Sequence, residues 1–585
     1  MLGFILASIL LFLVLLVVIF SAQRETEPYV ADGSVLKVNL QGALPERVTE
    51  DPFEMLFTPP DRAPISMQSL NNNLQKAAAD DRIAGIWLNV SFMGTSWARL
   101  QEAREMITEF REETGKFVYA GTDDRGWNEQ GYFVASAADS IFAPPETFFQ
   151  FTGFSAQVEF YGGMLDQIGV EIDEVTRGDY KSPGIFSHRE ELDPQDREQL
   201  EDMIDATSDV FAEAVSEKSG MSVAEVNDLL NEKPRMRMDF AKDYGLVDDF
   251  LYPNAIEERI LQRSEDEGFS RPEILKLSRY NRVSAESAGV DRYDGPEKIA
   301  VLYASGPILP QMDGGFFPGQ QDVITATRVL EQIDNIKDDD DVKAVVVRIN
   351  SPGGSPDTSD LIWERLRRLS EDLPVVASMG PVAASGGYYI AAGADTIVAS
   401  PNTVTGSIGV IGTLVNVEDL YQEHLNISFD GVKSHQYADW MDSRRRMTDQ
   451  ERVFFEDMID DLYETFLSRM AKSRDMTIDE VHEVAQGRIW TGEHAKEEGL
   501  IDQIGGLQTS LDLAAEMAEI EDYNTEMFPK PKTFLEQLSI GTETRIQQML
   551  NPDFPGAEKL KALEKLQVMA RPGGLFWIPY EIKIE

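Results

Sequence analysis

"GYYIAAGADTIVASPNTVTGSIGV", residues 387 to 410, has a near twin in "GYFVASAADSIFAPPETFFQFTGF", residues 131 to 154, offset by 256 residues from Asp139 to Asp395. Three more pairs of blocks follow the same order. "IAGIWLNVSFMGTS" from residue 83 matches "VKAVVVRINSPGGS" from residue 342, and "EDMIDATSDVFAEAVSEKSGMSVAEV" from 201 matches "EDMIDDLYETFLSRMAKSRDMTIDEV" from 456. "AKDYGLVDD" at 241 matches "AKEEGLIDQ" at 495. Matched blocks in one order at a nearly constant offset mark an internal duplication. Two homologous domains are expected, 34–280 and 297–520, with a polar linker at 281–296 that contains Pro and Gly. Short β-rich apolar runs such as "KIAVLYAS" and "VKAVVVRI" alternate with amphipathic helical patterns, so each domain is read as α/β with helices covering a sheet. The tail, 521–585, holds one amphipathic stretch, "GAEKLKALEKLQVMA", suited to docking on another part of the protein.

Bulk composition narrows the function. The chain of 585 residues carries 102 acidic and 53 basic residues, a formal net charge of -49, which argues against nucleic acid as a partner. There is no cysteine, so thiol nucleophiles, disulfides and thiolate metal sites are excluded together. His188, His424, His435, His482 and His494 show no metal-ligand spacing, so a histidine-based metal site is not expected. Residues 1–23 carry no charge and are long enough for one bilayer-spanning helix. An uncleaved transmembrane anchor is expected there. Ser21-Ala22 would serve poorly as a cleavage site with Phe20 in place of a small residue.

The copies differ where chemistry would sit. Aligned on Tyr132 and Tyr388, Ser385 of "AASGG" faces Glu129, and Gly353-Gly354 of "NSPGGS" face a stretch that retains only Gly94. A serine opening a helix beside Gly386 and Gly387 exposes its hydroxyl near backbone N–H groups, and glycines after a strand let the backbone donate to a developing oxyanion. The same small residues would also serve a tight strand-to-helix turn. A serine nucleophile needs a base, and no histidine stands at a recognisable spacing. A buried lysine loses its charge readily and is the other recorded solution. Two candidates occupy matching places, Lys181 in "TRGDYKSPGIFS" and Lys433 in "FDGVKSHQYADW".

"RINSPGGSPDTSD", "GPVAASGGYYIAAGAD", "NTVTGSIGVIG" and "TRGDYKSP" together resemble the bacterial signal peptide peptidases in their long, two-repeat, membrane-anchored form. The resemblance spans nearly the whole chain. It implies a Clp protease/crotonase-like fold in each domain and a serine endopeptidase with a Ser/Lys dyad that requires neither a metal nor a cofactor. Ser385 would be the nucleophile, Lys181 from the other repeat the general base, and Ser407 of "TGSIG" the group that orients the lysine. Aligned on the "TG" of "TGF" and "TGSIG", Phe154 would replace that serine in the first repeat. The N–H groups of Gly386 and of Gly353 or Gly354 would form the oxyanion hole. Lys433 is the alternative base, because one-repeat relatives take serine and lysine from one domain. The family further implies a homotetramer at the bacterial inner membrane, catalytic domains outside the cytoplasm, and cleaved signal peptides and other short or unfolded peptides as substrates, with apolar and small side chains preferred. Two other classes compete with this reading: a catalytically inactive membrane-tethered scaffold, and an acyl-CoA hydratase or isomerase, whose superfamily shares the fold.

Overall fold

The computed structural model describes residues 27–47, 65–122, 126–182, 189–290, 295–310, 323–530 and 574–577. The expected anchor at 1–23 and the amphipathic stretch at 556–570 lie outside these residues. Among the described residues no helix is long and apolar enough to cross a membrane. The chain divides into two compact units. One holds residues 1–95, 103–151 and 214–292, and the other holds 96–102, 152–213 and 293–585. Residues 152–213 of the first sequence repeat thus belong to the same unit as the second repeat.

The first unit is built on a six-stranded parallel sheet in the order Ile274–Lys276, Ser34–Gly42, Ile83–Met93, Phe117–Gly121, Ser140–Ala143, Asp249–Phe250. Val35, Trp87, Phe117 and Phe142 pack on Ile256 and Ile260 of the helix Pro253–Asp266. A three-stranded sheet, Gly126–Asn128, Phe148–Gln150 and Arg235–Arg237, completes it.

The second unit contains strands β1 (Glu171–Arg177), β2 (Lys298–Ser305), β3 (Val342–Ser351), β4 (Gly353–Gly354), β5 (Val375–Ala384) and β6 (Thr396–Ala399). They are followed by β7 (Val404–Gly406), β8 (Val410–Asn416), β9 (Ile489–Thr491), β10 (Gln503–Ile504), β11 (Asn524–Phe528) and β12 (Gly574–Trp577). The main sheet runs β9-β7-β5-β3-β2-β11, with β6 and β10 attached through β5. All its pairings are parallel except β7 with β9. A parallel sheet buries both faces. Successive residues of β2 show why these apolar runs are continuous. Ala300, Leu302 and Ala304 enter one core with α1 (Ala326–Lys337), α2 (Pro356–Leu369) and α3 (Gly386–Ala391). Ile299, Val301 and Tyr303 enter the opposite core, against Leu511, Ala514 and Ala515 of the helix Leu507–Met517.

Strand β5 changes neighbours along its length. Its first half, Val376 to Met379, pairs with β6, and its second half, Val382 to Ala384, pairs with β7. That divergence carries the strand's end out to Ser385. The following helix α3 packs closely, since a Cβ on Gly387 would lie 2.5 Å from the Ser351 carbonyl oxygen. Helix α2 begins as its sequence dictates: Ser355 caps the Thr358 N–H, Pro356 fills the first turn, and Ile362, Trp363, Leu366 and Leu369 form the buried stripe.

The duplication is visible in matching side-chain anchors inside each unit. Tyr132 donates its hydroxyl to the Leu246 carbonyl at 2.9 Å, and Tyr388 to the Leu500 carbonyl at 2.7 Å. Asp139 accepts from the Val118 N–H, as Asp395 does from Val375. Asp248 accepts from Ile141, as Asp502 does from Ile397.

Candidate functional site

Strand β1 and the Gly178–Lys181 turn that follows it deliver Lys181 into the second unit's interior, where it is 1% exposed. Its Nζ donates to Ser385 Oγ at 2.9 Å, to Ser407 Oγ at 2.9 Å and to the Ser407 carbonyl at 3.1 Å. Burial pushes the Lys181 amine well below its ordinary range, because the ammonium loses its water. Ser385 and Ser407 are fully buried and both hold positive φ, 54° and 51°. A serine in this conformation stores on the order of 1–3 kcal/mol, which the surrounding structure must offset. The Ser385 N–H is tied to the Gly406 carbonyl at 2.8 Å, and its hydroxyl does not cap α3, so the oxygen stays with the lysine.

The glycines named from the sequence gather on the other side of Ser385. A Cβ on Gly386 would stand 3.1 Å from the Gly354 nitrogen and 3.2 Å from the Gly353 Cα, so the start of α3 lies against β4. The Gly353 N–H donates to Ser351 Oγ at 3.2 Å. Lys433 lies elsewhere: it is on the surface and pairs with Asp439 at 2.9 Å.

Several supporting residues were not singled out from the sequence. The Lys181 loop is held by Gln486–Arg488. The Tyr180 N–H donates to the Gln486 carbonyl at 2.8 Å, and the Ser407 N–H donates to the Arg488 carbonyl at 2.6 Å. A Cβ on Gly487 would sit 2.3 Å from the Lys181 Cβ, so only glycine allows this approach. The Arg488 guanidinium lies over the rings of Tyr180 and Trp490 and pairs with Glu198 and Asp202. Ser182, beside the lysine, donates to the buried carboxylate of Asp196, which also receives Arg189 and Gln199. One signal was available: counting back from the matched "AKDYGLVDD" and "AKEEGLIDQ" blocks, Gly487 faces Lys233, another glycine present only in the second copy.

Behind β4, the buried Glu102 accepts both bonds from Arg348 of β3 at 2.8 and 2.9 Å. Arg348 also donates to Ser378 Oγ and the Met379 carbonyl. This satisfied pair ties the 96–102 segment to the strand that leads into Gly353. Among the described residues no group of three or more His, Asp or Glu side chains is placed to hold a metal ion.

An α/β chain with a strained, buried serine hydroxyl in contact with an easily discharged lysine has the working parts of a serine hydrolase. Comparison with known proteins narrows the class. Peptidase family S49 matches residues 112–264 and 367–521, and the Clp protease family matches residues 314–406. The chain is 32% identical over 492 residues to the protein named Serine protease SPPA, chloroplastic, of Arabidopsis thaliana, covering 84% of this chain and 70% of that one. It is 29% identical over 499 residues to Protease 4 of Salmonella typhi, covering 83% and 77%. With Protease 4 of Haemophilus influenzae it shares 25% over 591 residues, covering 97% and 94%. The chain belongs to peptidase family S49, as a serine peptidase with two tandem repeats, and so is neither an inert scaffold nor an acyl-CoA enzyme.

Proposed function

We propose that the chain is a membrane-anchored endopeptidase in which Ser385 is the nucleophile and Lys181 the general base. The observation that carries this reading is the 2.9 Å contact between Lys181 Nζ and Ser385 Oγ in a site that disfavours the lysine's charge. The uncharged amine takes the Ser385 proton as Oγ attacks the peptide carbonyl. The resulting ammonium returns that proton to the leaving amine, giving an acyl-enzyme and releasing the first product. Water then attacks the ester, its proton passing to Lys181 and back to Ser385 as the carboxylate product leaves. Ser407 fixes the amine's direction through its hydroxyl and carbonyl. The oxyanion is received by the Gly386 N–H with that of Gly353 or Gly354, and a lost donor of this kind costs about 3 kcal/mol of transition-state stabilisation.

The substrates in this reading are signal peptides left in the bilayer after their release from secreted proteins. Residues 1–23 would hold the enzyme at a bacterial inner membrane with its catalytic part outside the cytoplasm, as a homotetramer. The repeats at 34–280 and 297–520 would supply base and nucleophile respectively. This assignment rests on the four sequence motifs and on the peptidase relatives. The test is hydrolysis of an unstructured fluorogenic peptide and of a bilayer-embedded signal peptide by wild type, Ser385→Ala, Lys181→Ala and Lys433→Ala. Activity lost in the first two variants and kept in the third supports the dyad. Activity in Ser385→Ala overturns it, and cleavage of the soluble peptide alone overturns the substrate assignment.

A further inference from the structure

Arg488 reaches toward the base from two directions. Its carbonyl accepts the Ser407 N–H at 2.6 Å, and Ser407 in turn receives the Lys181 amine through its hydroxyl and its carbonyl. Its side chain runs instead to Tyr180, the residue before the lysine. Nη1 donates to the Tyr180 hydroxyl at 3.2 Å, and the guanidinium carbon lies 4.8 Å from the centre of the Tyr180 ring. Two carboxylates of the helix Pro194–Ser219 fix the guanidinium, Glu198 at 3.0 Å from Nη1 and Asp202 at 2.6 Å from Nη2. The Tyr180 hydroxyl itself donates to Glu198 at 3.2 Å, which closes a triangle of tyrosine, carboxylate and guanidinium.

The first copy separates the main-chain contact from the side-chain one. Counted back from the matched "AKDYGLVDD" and "AKEEGLIDQ" blocks, Pro234 stands where the second copy has Arg488. The Pro234 carbonyl accepts the Phe151 N–H at 3.0 Å. Gln150 pairs with Arg235 as Gly406 pairs with Ile489, so the strand register sets Phe151, rather than Phe154, at the place of Ser407. The same backbone bond therefore forms with proline in the arginine's position. It belongs to the fold, and the Arg488 side chain is not needed for it. The guanidinium occurs in the copy that holds Ser385 and is missing from the other.

We propose that the Arg488 side chain is a positioning residue for the peptidase reaction: with Glu198 and Asp202 it clamps Tyr180, and so holds the Gly178–Lys181 turn where the lysine amine meets Ser385. Lysine carries its amine on a flexible four-carbon stem. Ser407 fixes the amine end of that stem, and the clamp fixes its backbone end. Charged groups on the neighbouring elements have partners of their own, Asp196 in Arg189 and Asp460 in Arg177, while Asp179 stands exposed on the turn itself. His482, beyond Tyr463, is engaged by that tyrosine's hydroxyl at 3.0 Å. The inference deepens the dyad reading, on which its kinetic consequence rests, while the state of the amine can be measured without turnover.

The test compares Arg488→Met, Tyr180→Ala and the double variant in the full chain. Each single change should lower kcat on an unstructured fluorogenic peptide by up to about 10²-fold, the loss that misplacement by about 1 Å produces, with KM little changed. The double variant should lose no more than the larger single loss, because the two side chains act as one unit. Tyr180→Phe, which keeps the ring, should retain most of the activity. In Arg488→Met the acid limb of the pH profile should move to higher pH, since a loosened turn admits water to the amine and leaves two carboxylates without their cation, both of which favour the ammonium. Losses that add, an unmoved acid limb or an unchanged kcat overturn the clamp. So does an Arg488→Met chain that fails to fold, which would make the side chain part of the framework. Acetylation of Lys181 by acetic anhydride, followed by mass spectrometry over a pH series in the Ser385→Ala chain, reads the amine directly. Its midpoint should rise on adding Arg488→Met, and a midpoint that stays put overturns the proposal. A risen midpoint in a protein whose wild type cleaves nothing sinks the dyad and leaves the clamp standing.

Discussion

Asn128 opens a short helix in the first unit by turning its side-chain oxygen onto the Gly131 N–H at 3.1 Å, with its backbone relaxed at φ -90°. The counterpart helix in the second unit is opened by Ser385, at φ 54°, whose hydroxyl leaves the helix uncapped and meets Lys181. Around these turns the two frames agree bond for bond. Tyr132 and Tyr388, Asp139 and Asp395, and Asp248 and Asp502 each hold the equivalent backbone group. One strand further in, Asn89 makes a neutral amide pair with Asn39, where its counterpart Arg348 makes a buried ion pair with Glu102. Among the described residues, the non-glycine positions held at positive φ all lie in the unit that has the serine. Side chains that fasten a turn to its own sheet are shared by both copies, whereas the strained serine is found in one of them.

The largest effect that would break this contrast is on turnover. Ser385→Ala and Lys181→Met should each lower kcat by about 10⁴-fold or more, as losses of central catalytic groups do, whereas Glu129→Ala, at the matching turn, should leave peptide hydrolysis unchanged. The wild-type rate should fall as pH drops through the lowered Lys181 pKa, because protonation removes the base. The same shift acts on stability. A lysine whose folded pKa lies below its unfolded value makes the unfolded chain bind more protons between the two, so stability rises with pH across that window. Lys181→Met should flatten that slope in denaturant titrations run at a series of pH values.

Next in size is the buried pair. Glu102→Ala leaves Arg348 charged and unpartnered by its carboxylate, and should cost about 3–5 kcal/mol in unfolding free energy. The neutral counterpart is weaker. Asn39→Ala should cost about 0.5–1.5 kcal/mol in the same measurement, the net worth of one neutral hydrogen bond. Equal losses would mean that the ion pair contributes nothing special.

Ser407→Ala should lower kcat by about 10²-fold with KM little changed, the low end for assistance to a general base, and should shift the acid limb of the pH profile, which a purely structural role would not. Smallest of all, Lys433→Ala should leave both kcat and KM unchanged, since its amine is engaged with Asp439 on the surface.

Much of the frame could be read from residues. Strand and helix alternation is a local pattern, and the asymmetry at Ser385, Gly353 and Gly354 shows once the two copies are laid side by side. From its spacing Lys181 was legible only as a lysine in a matched place, and the family resemblance alone suggested its role, because its burial depends on contacts more than 200 residues away. Gln486, Arg488 and Asp196 left no pattern. Their work is to hold a loop through backbone carbonyls and a buried carboxylate, and neither leaves a periodic or compositional trace. The division into units was hidden for the same reason: residues 152–213 look like the first repeat, and only long-range packing puts them with the second.

Lys181 and Ser385 are separated by 204 positions. At ribosomal speeds of about 5–20 residues per second, roughly 10–40 seconds of synthesis separate the two. On the proposed chemistry, a nascent chain that has made its base still has no nucleophile, and every prematurely terminated product up to that point is inert. On that chemistry, spacing alone would hold the activity back until the second repeat has been made.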